Sequence, residues 1–157
     1  MRKALEVVSL AGLLFMAWIT AHALSGAHRL AGPVPVHFNA AGEVDAWGSP
    51  WALTILPLAG FGIYLLMTVV ARYPSAFNFP VQVTPRIRPR LEALAVEMIA
   101  WLKAEVVCLF AWIQTLTVQA ARHGKAGLPP FVVPCVLAAV FATIFSYVIA
   151  MRRAARS

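Results

Sequence analysis

The sequence predicts an all-α membrane protein: a four-helix transmembrane bundle, N-in/C-in, with a Pro/Gly-rich extracytoplasmic loop between helices 1 and 2. Three observations predict it. Of 157 residues 61% are hydrophobic and only 12% charged, against roughly a half and a quarter in soluble domains. The apolar residues fall into four blocks, Val7–Leu24, Trp51–Ala71, Met98–Val118 and Phe131–Met151. Each is about 18–21 residues long and spans roughly 30 Å as a helix, the thickness of a hydrocarbon core. Basic residues are distributed unequally about those blocks. Arg2, Lys3, Arg72, Arg86, Arg88, Arg90, Arg152, Arg153 and Arg156 fall on one side, and Arg29, Arg122 and Lys125 on the other. The richer side is cytoplasmic by the positive-inside rule.

The chain reads as one domain, residues 1–157, with helices at about 5–25, 51–72, 91–119 and 130–152. None of the blocks alternates as a barrel strand would, and in lipid a bare amide must be satisfied within the segment, so each is a helix. The first block follows Arg2 and Lys3 as a signal peptide would. It is nevertheless long for such a segment, and Ala21–Ala23 is a poor cleavage signal, so it reads as a helix of the mature protein. The loop from Ser25 to Pro50 carries Pro33, Pro35 and Pro50. Its Val34–Phe38 stretch alternates and predicts one short extended piece, with a turn at Asn39–Gly42. Trp47 and Trp51 suit the outer interface as anchors.

In the second helix Pro57 predicts a kink in the second turn, and Gly60 and Gly62 permit close helix approach. The third helix resumes its periodicity at Leu91, Leu94, Met98 and Trp101 and begins before it enters the bilayer. In the fourth, Ala138, Ala142 and Ser146 form a small-residue stripe that reads as a packing seam. Cys108 and Cys135 differ in depth by roughly 9 Å at ~1.5 Å per residue, beyond disulfide range, and read as packing residues.

Candidate chemistry lies in two places. Glu97, Trp101, Glu105, Cys108, Trp112, Thr115 and Gln119 step by three or four and share one face of the third helix. Glu105 lies within the hydrocarbon, where a carboxylate costs several kcal/mol unless protonated or paired, so it should face the bundle interior. It is either a packing group or a proton carrier. Lys103, on another face, either snorkels to the inner surface or pairs with Glu6. The second place is the outer loop. His22, His28, His37 and His123 all fall on the outer side, with Glu43 and Asp45 near, but no spacing matches a zinc signature and no metal site is expected. Asn39 and Asp45 are expected to bind the backbone of their own turns.

No nucleophile motif or phosphate-cradling loop is present, so the chain reads as no enzyme, with no cofactor. The net charge of +7 is split among short juxtamembrane segments. It therefore marks topology and attraction to lipid, not nucleic acid.

The outer loop also carries a resemblance. His37-Phe38-Asn39-x-x-Gly42-x-x-Asp45-x-Trp47-Gly48-Ser49, preceded by Pro33-x-Pro35, resembles the hallmark of a bacterial membrane domain family of unknown function. The same domain forms the N-terminal part of immunity proteins of the sporulation-delaying-peptide system (SdpI type). Tyr73-Pro74-x-x-Phe77-Asn78-Phe79-Pro80-Val81, Trp101-Leu102-Lys103-x-Glu105 and Ile113-Gln114 are similar to the rest of that domain, so the likeness spans about residues 30–115. It implies a multi-pass protein of the bacterial plasma membrane, with His37, Asn39, Gly42, Asp45, Trp47 and Gly48 as the shared outer-loop element. It adds Phe77, Asn78 and Pro80 as an inner-loop element, and Lys103, Glu105 and Gln114 as an intramembrane polar face. The immunity proteins carry further helices after this domain, whereas one helix follows the third here.

Two functions follow as expectations. One is a binding, regulatory or immunity-type protein whose outer loop recognises a peptide, lipid or protein. The other is a small transporter or proton-linked component centred on Glu105, which with four helices would require a homo-oligomer. A metal-dependent membrane enzyme is the weakest third.

Overall fold

The computed structural model describes residues 1–25, 30, 32–123, 127 and 129–156; His28, Arg29 and Lys125, used above, lie outside them. The chain is mostly helical: α1 (Arg2–Leu24), α2 (Ile55–Val70), α3 (Arg88–His123) and α4 (Val132–Ala154). Three apolar segments are long and apolar enough to cross a membrane, namely α1, α4 and the stretch Pro50–Val70 that contains α2. The further helix, α3, is the longest at 36 residues and packs against all three others.

The helices alternate in direction. Leu5 of α1 meets Ala100 and Ala104 of α3, while Ala23 at the other end meets Val118, so α1 and α3 run parallel. Lys103 reaches Thr68 of α2, and Met151 of α4 packs beside Leu91 and Ala95; both helices therefore run against α3. The arrangement is not a symmetric bundle. α4 rests chiefly on α3 and leaves most of its surface outward. Ala138, Ala142 and Ser146 are all exposed, so their stripe is no seam within this chain. Cys108 and Cys135 are likewise exposed and do not fill the core.

The outer loop differs from the expected single extended piece. Val34–Phe38 (β1) pairs antiparallel with Val44–Gly48 (β2), so the chain is all-α except for this hairpin. The register pairs Val34 with Gly48, Pro35 with Trp47, His37 with Ala46 and Phe38 with Val44, leaving Val36 and Asp45 unopposed. Such bulges bend a ladder and re-aim its side chains. Val34 is fully buried with Ala23, Leu53 and Val118, which seats the hairpin on the ends of α1 and α3.

The expected kink at Pro57 is replaced by a change of helix type. Pro50–Thr54 forms a 3₁₀ turn and α2 proper begins at Ile55, which puts Pro57 in the first turn of α2. There its missing N–H breaks no ladder bond inside α2. The other ends differ from expectation by one to four residues, the greatest being the C-terminal end of α3 at His123; α3 starts at Arg88 after a turn closed by Arg88 N–H to Thr84 O at 3.0 Å.

Between α2 and α3, Phe77, Phe79 and Val81 alternate inward onto a cluster of Leu91, Ala95, Met151 and Ala154, while Asn78 and Pro80 stay exposed. This inner-loop motif is thus an extended strap across the base of α3 and α4. It borders an apolar cavity of about 450 Å³ shared with Met98, Ile99 and Val148.

Candidate functional site

α3 turns Glu105 toward α4, as expected, but carries two buried polar groups, Lys103 and Gln114, off the face that the spacing favoured. Cys108, Trp112 and Gln119 are exposed. The buried face instead runs through Ala95, Ala100, Lys103, Ala104, Val107, Gln114, Thr117 and Val118. Its alanines permit close backbone approach, which together with hydrogen bonds is how helices pack where the surroundings are apolar.

Lys103 does not snorkel. It is 2% exposed, and its Nζ donates to Glu6 Oε1 on α1 at 2.5 Å and to Thr68 Oγ1 on α2 at 3.0 Å. The ammonium also sits 4.5 Å from the centre of the Tyr64 ring, and Tyr64 Oη–H donates to Glu6 Oε2 at 3.1 Å. One buried cation therefore ties three helices together. Spacing alone did not find Tyr64 or Thr68, although their i, i+4 placement on one α2 face was a usable signal.

Glu105 points to α4, where Thr143 Oγ1–H donates to its Oε1 at 2.5 Å. Its Oε2 is buried with no hydrogen-bond partner, an unmet valence of the kind that calls for an explanation. Nearby on the same pair of helices, Tyr147 sits beside Glu97 and Trp101.

Gln114, 1% exposed, explains the junction before α2. Its Nε2 donates to Thr20 Oγ1 at 2.6 Å and to the carbonyl of Leu53 at 2.9 Å. In an unbroken helix the Leu53 carbonyl would accept the amide of residue 57, and Pro57 has none. The glutamine amide supplies the donor that the proline withholds.

At the hairpin, Asn39 is occupied by the turn. Its Oδ1 accepts the backbone N–H of Ala41 and Glu43, each at 2.9 Å, and its carbonyl accepts Gly42 N–H at 2.8 Å. Gly42 has φ 82°, a left-handed conformation that disfavours any Cβ. Gly48 is required by space: a Cβ there would stand 2.7 Å from Val36 Cγ1. Asp45 does not bind its own turn as expected. Its Oδ1 lies 2.6 Å from His37 Nδ1 across the hairpin, fixing the ring and leaving Nε2 directed outward. Both side chains are open, at 67% and 43% exposure, and Trp47 and Trp51 flank them on the surface.

Beneath the hairpin lies a cleft of about 260 Å³. Pro35, Val36, His37 and Phe38 form its roof, Leu53, Ile55, Leu56 and Ile113 its apolar wall, and Gln114 and Thr117 its polar end. Two of the loop candidates thus hold the turn (Asn39 and Gly42), one admits Val36 (Gly48), and His37 lines the cleft with Asp45 bonded to it. Among the described residues no three of His, Cys, Asp and Glu come within reach of one metal ion.

No curated protein and no solved structure matches the chain. Residues 12–61, about a third of the length, match a family described as a domain of unknown function (DUF1648). That segment runs from α1 through the hairpin into α2 and contains every residue from His37 to Gly48, whereas the Tyr73–Val81 strap lies outside it.

Proposed function

We propose that this is a four-span protein of the bacterial plasma membrane, both ends inside, that binds an apolar peptide or lipid segment at its outer face without catalysis. The fourth span is α3, whose surroundings support it: three apolar helices or segments flank it, and its own buried face is small and apolar apart from internally satisfied polar groups. The observation carrying the binding role is the cleft under the hairpin. It is apolar along its wall, polar at one end, and rimmed by a histidine held in one orientation by Asp45. Most recognition sites share that composition, an apolar body with a few fixed polar groups. The SdpI-type resemblance adds an immunity-like role, in which the ligand is a membrane-active peptide.

The test is photo-crosslinking from the hairpin in native membranes. Wild-type protein should capture a discrete peptide, lipid or membrane protein, and a His37→Ala, Asp45→Ala double change should lose it. Capture that survives the double change would sink this reading.

A second reading rests on the unmatched Glu105 Oε2, which suits a proton- or cation-carrying site in a homo-oligomeric transporter. Against a relay, the side-chain hydrogen bonds of Lys103, Glu105 and Gln114 form three networks that do not join among the described residues. Glu105→Gln should abolish flux in proteoliposomes if this reading holds, and normal flux would remove it.

A further inference from the structure

At the end of the molecule opposite the hairpin, a cavity of about 170 Å³ opens between α1, α2 and α3. Arg2 and Arg72 stand at its mouth and Lys103 at its floor, with Glu6 and Thr68 beside Lys103. Three cations and one carboxylate line it, a formal excess of two positive charges. The carboxylate is already engaged by Lys103 and the Tyr64 hydroxyl, so what remains for a ligand is cationic. The volume is below the roughly 300–1,000 Å³ of sites for drug-sized molecules, so the occupant is a small anionic group.

We propose that this cavity binds a phosphate group, presented by an anionic phospholipid of the inner leaflet or by free phosphate. Arg2 lies in the first turn of α1 and Arg72 just past α2, so in a membrane-spanning arrangement both sit at headgroup depth. Basic pockets between helices at that level suit acidic headgroups. The Lys103 ammonium is paired with Glu6 and Thr68, so the charge left for a ligand is that of the two guanidinium groups, Arg2 and Arg72. This inference goes beyond the outer-face reading and shares with it only the spanning arrangement.

The experiment uses the full chain purified in a zwitterionic detergent, with thermal stability and native mass spectrometry as readouts. The probes are phosphatidylglycerol, phosphatidylcholine and inorganic phosphate. Phosphatidylglycerol should raise the melting temperature and stay bound where phosphatidylcholine does not. If inorganic phosphate protects equally and displaces the lipid, free phosphate is the ligand; if it does neither, the headgroup is. At about 1 kcal/mol per basic residue, an R2Q/R72Q double change should weaken binding about 30-fold. An R152Q/R153Q change, which removes two charges from the same end of the molecule, should leave it unchanged. Equal binding of both lipids without any phosphate effect would overturn the proposal. So would equal weakening by the two double variants, since that pattern is diffuse surface attraction.

Discussion

Removing Glu6 should harm this protein more than removing Lys103, although both changes delete the same ion pair. The asymmetry comes from burial. The Lys103 side chain is 3% exposed and that of Glu6 40%. Glu6→Leu strands an ammonium that retains only the Thr68 hydroxyl and the Tyr64 ring face, and leaves Tyr64 without its acceptor. Breaking a buried pair in that way costs about 3–5 kcal/mol. Lys103→Met instead leaves a carboxylate that reaches the open cavity and keeps the Tyr64 hydrogen bond. Its cost should be about 1–3 kcal/mol, the range for a polar group losing one partner. The Glu6→Leu, Lys103→Met double variant removes both charges and should recover to within about 1–2 kcal/mol of wild type, because apolar replacement of a whole buried pair is often neutral.

Unfolding free energy in mixed micelles, by denaturing-detergent titration or steric trapping, measures all four corners of this cycle. The reasoning fails if Lys103→Met is the worse single variant, or if the double variant costs the sum of the two singles. Either result would mean that the pair is solvated and does not join the three helices energetically.

Gln114→Leu should cost about 1–3 kcal/mol, given two lost hydrogen bonds at up to ~1.7 each in membrane proteins. Pro57→Ala should relieve part of that cost by returning an amide to the Leu53 carbonyl, so the two changes measured together should be less than additive. Gly42→Ala should destabilise the hairpin by about 1–2 kcal/mol, because φ 82° lies in the left-handed region; amide exchange across residues 34–48 reads this. Gly12→Ala should cost about 1–3 kcal/mol by overpacking, since its Cβ would stand 2.8 Å from Val107 Cγ1. Val107→Ala in that background should restore the melting temperature in part. Asp45→Ala should change stability by at most about 1 kcal/mol, as an exposed pair contributes little, so loss of ligand capture in that variant would report on recognition and not on folding.

How much of this was legible depends on which force leaves a mark in sequence. Three of the four helices were readable because a membrane span demands a long apolar run, and theirs are continuous; α3, interrupted by Lys103 and Glu105, was readable from its helical periodicity. The second strand was not. Val44–Gly48 contains an aspartate and a glycine, both depleted in strands, and its fold depends on the Asn39 side chain capping a turn three residues long. The asparagine with a glycine three positions later was the available signal. Nor was the face of α3 that packs on α1 and α2 legible, because conspicuous residues of α3 such as Trp112 lie off it. The better guide was the run of alanines, with Lys103 and Gln114 among them, since small residues permit the close approach that membrane helices use.

That face also accounts for how the fold is specified. Lipid tails are as apolar as leucine, so apolar side chains alone distinguish poorly between one helix register and the next. α3 resolves this by hydrogen bonds at three levels along its length, each to a different set of partners. Lys103 takes α1 and α2 near the basic cavity, Glu105 takes α4, and Gln114 takes α1 and the Leu53 carbonyl beside the hairpin. A slip of α2 by one turn, about 5.4 Å, would separate Lys103 from Thr68 and Gln114 from Leu53 together. The cleft under the hairpin is therefore positioned by the same helix register that closes the basic cavity at the opposite end. A change at Gln114 should disturb the cleft it borders first, and a change at Lys103 should reach the cleft only by shifting α2 as a whole.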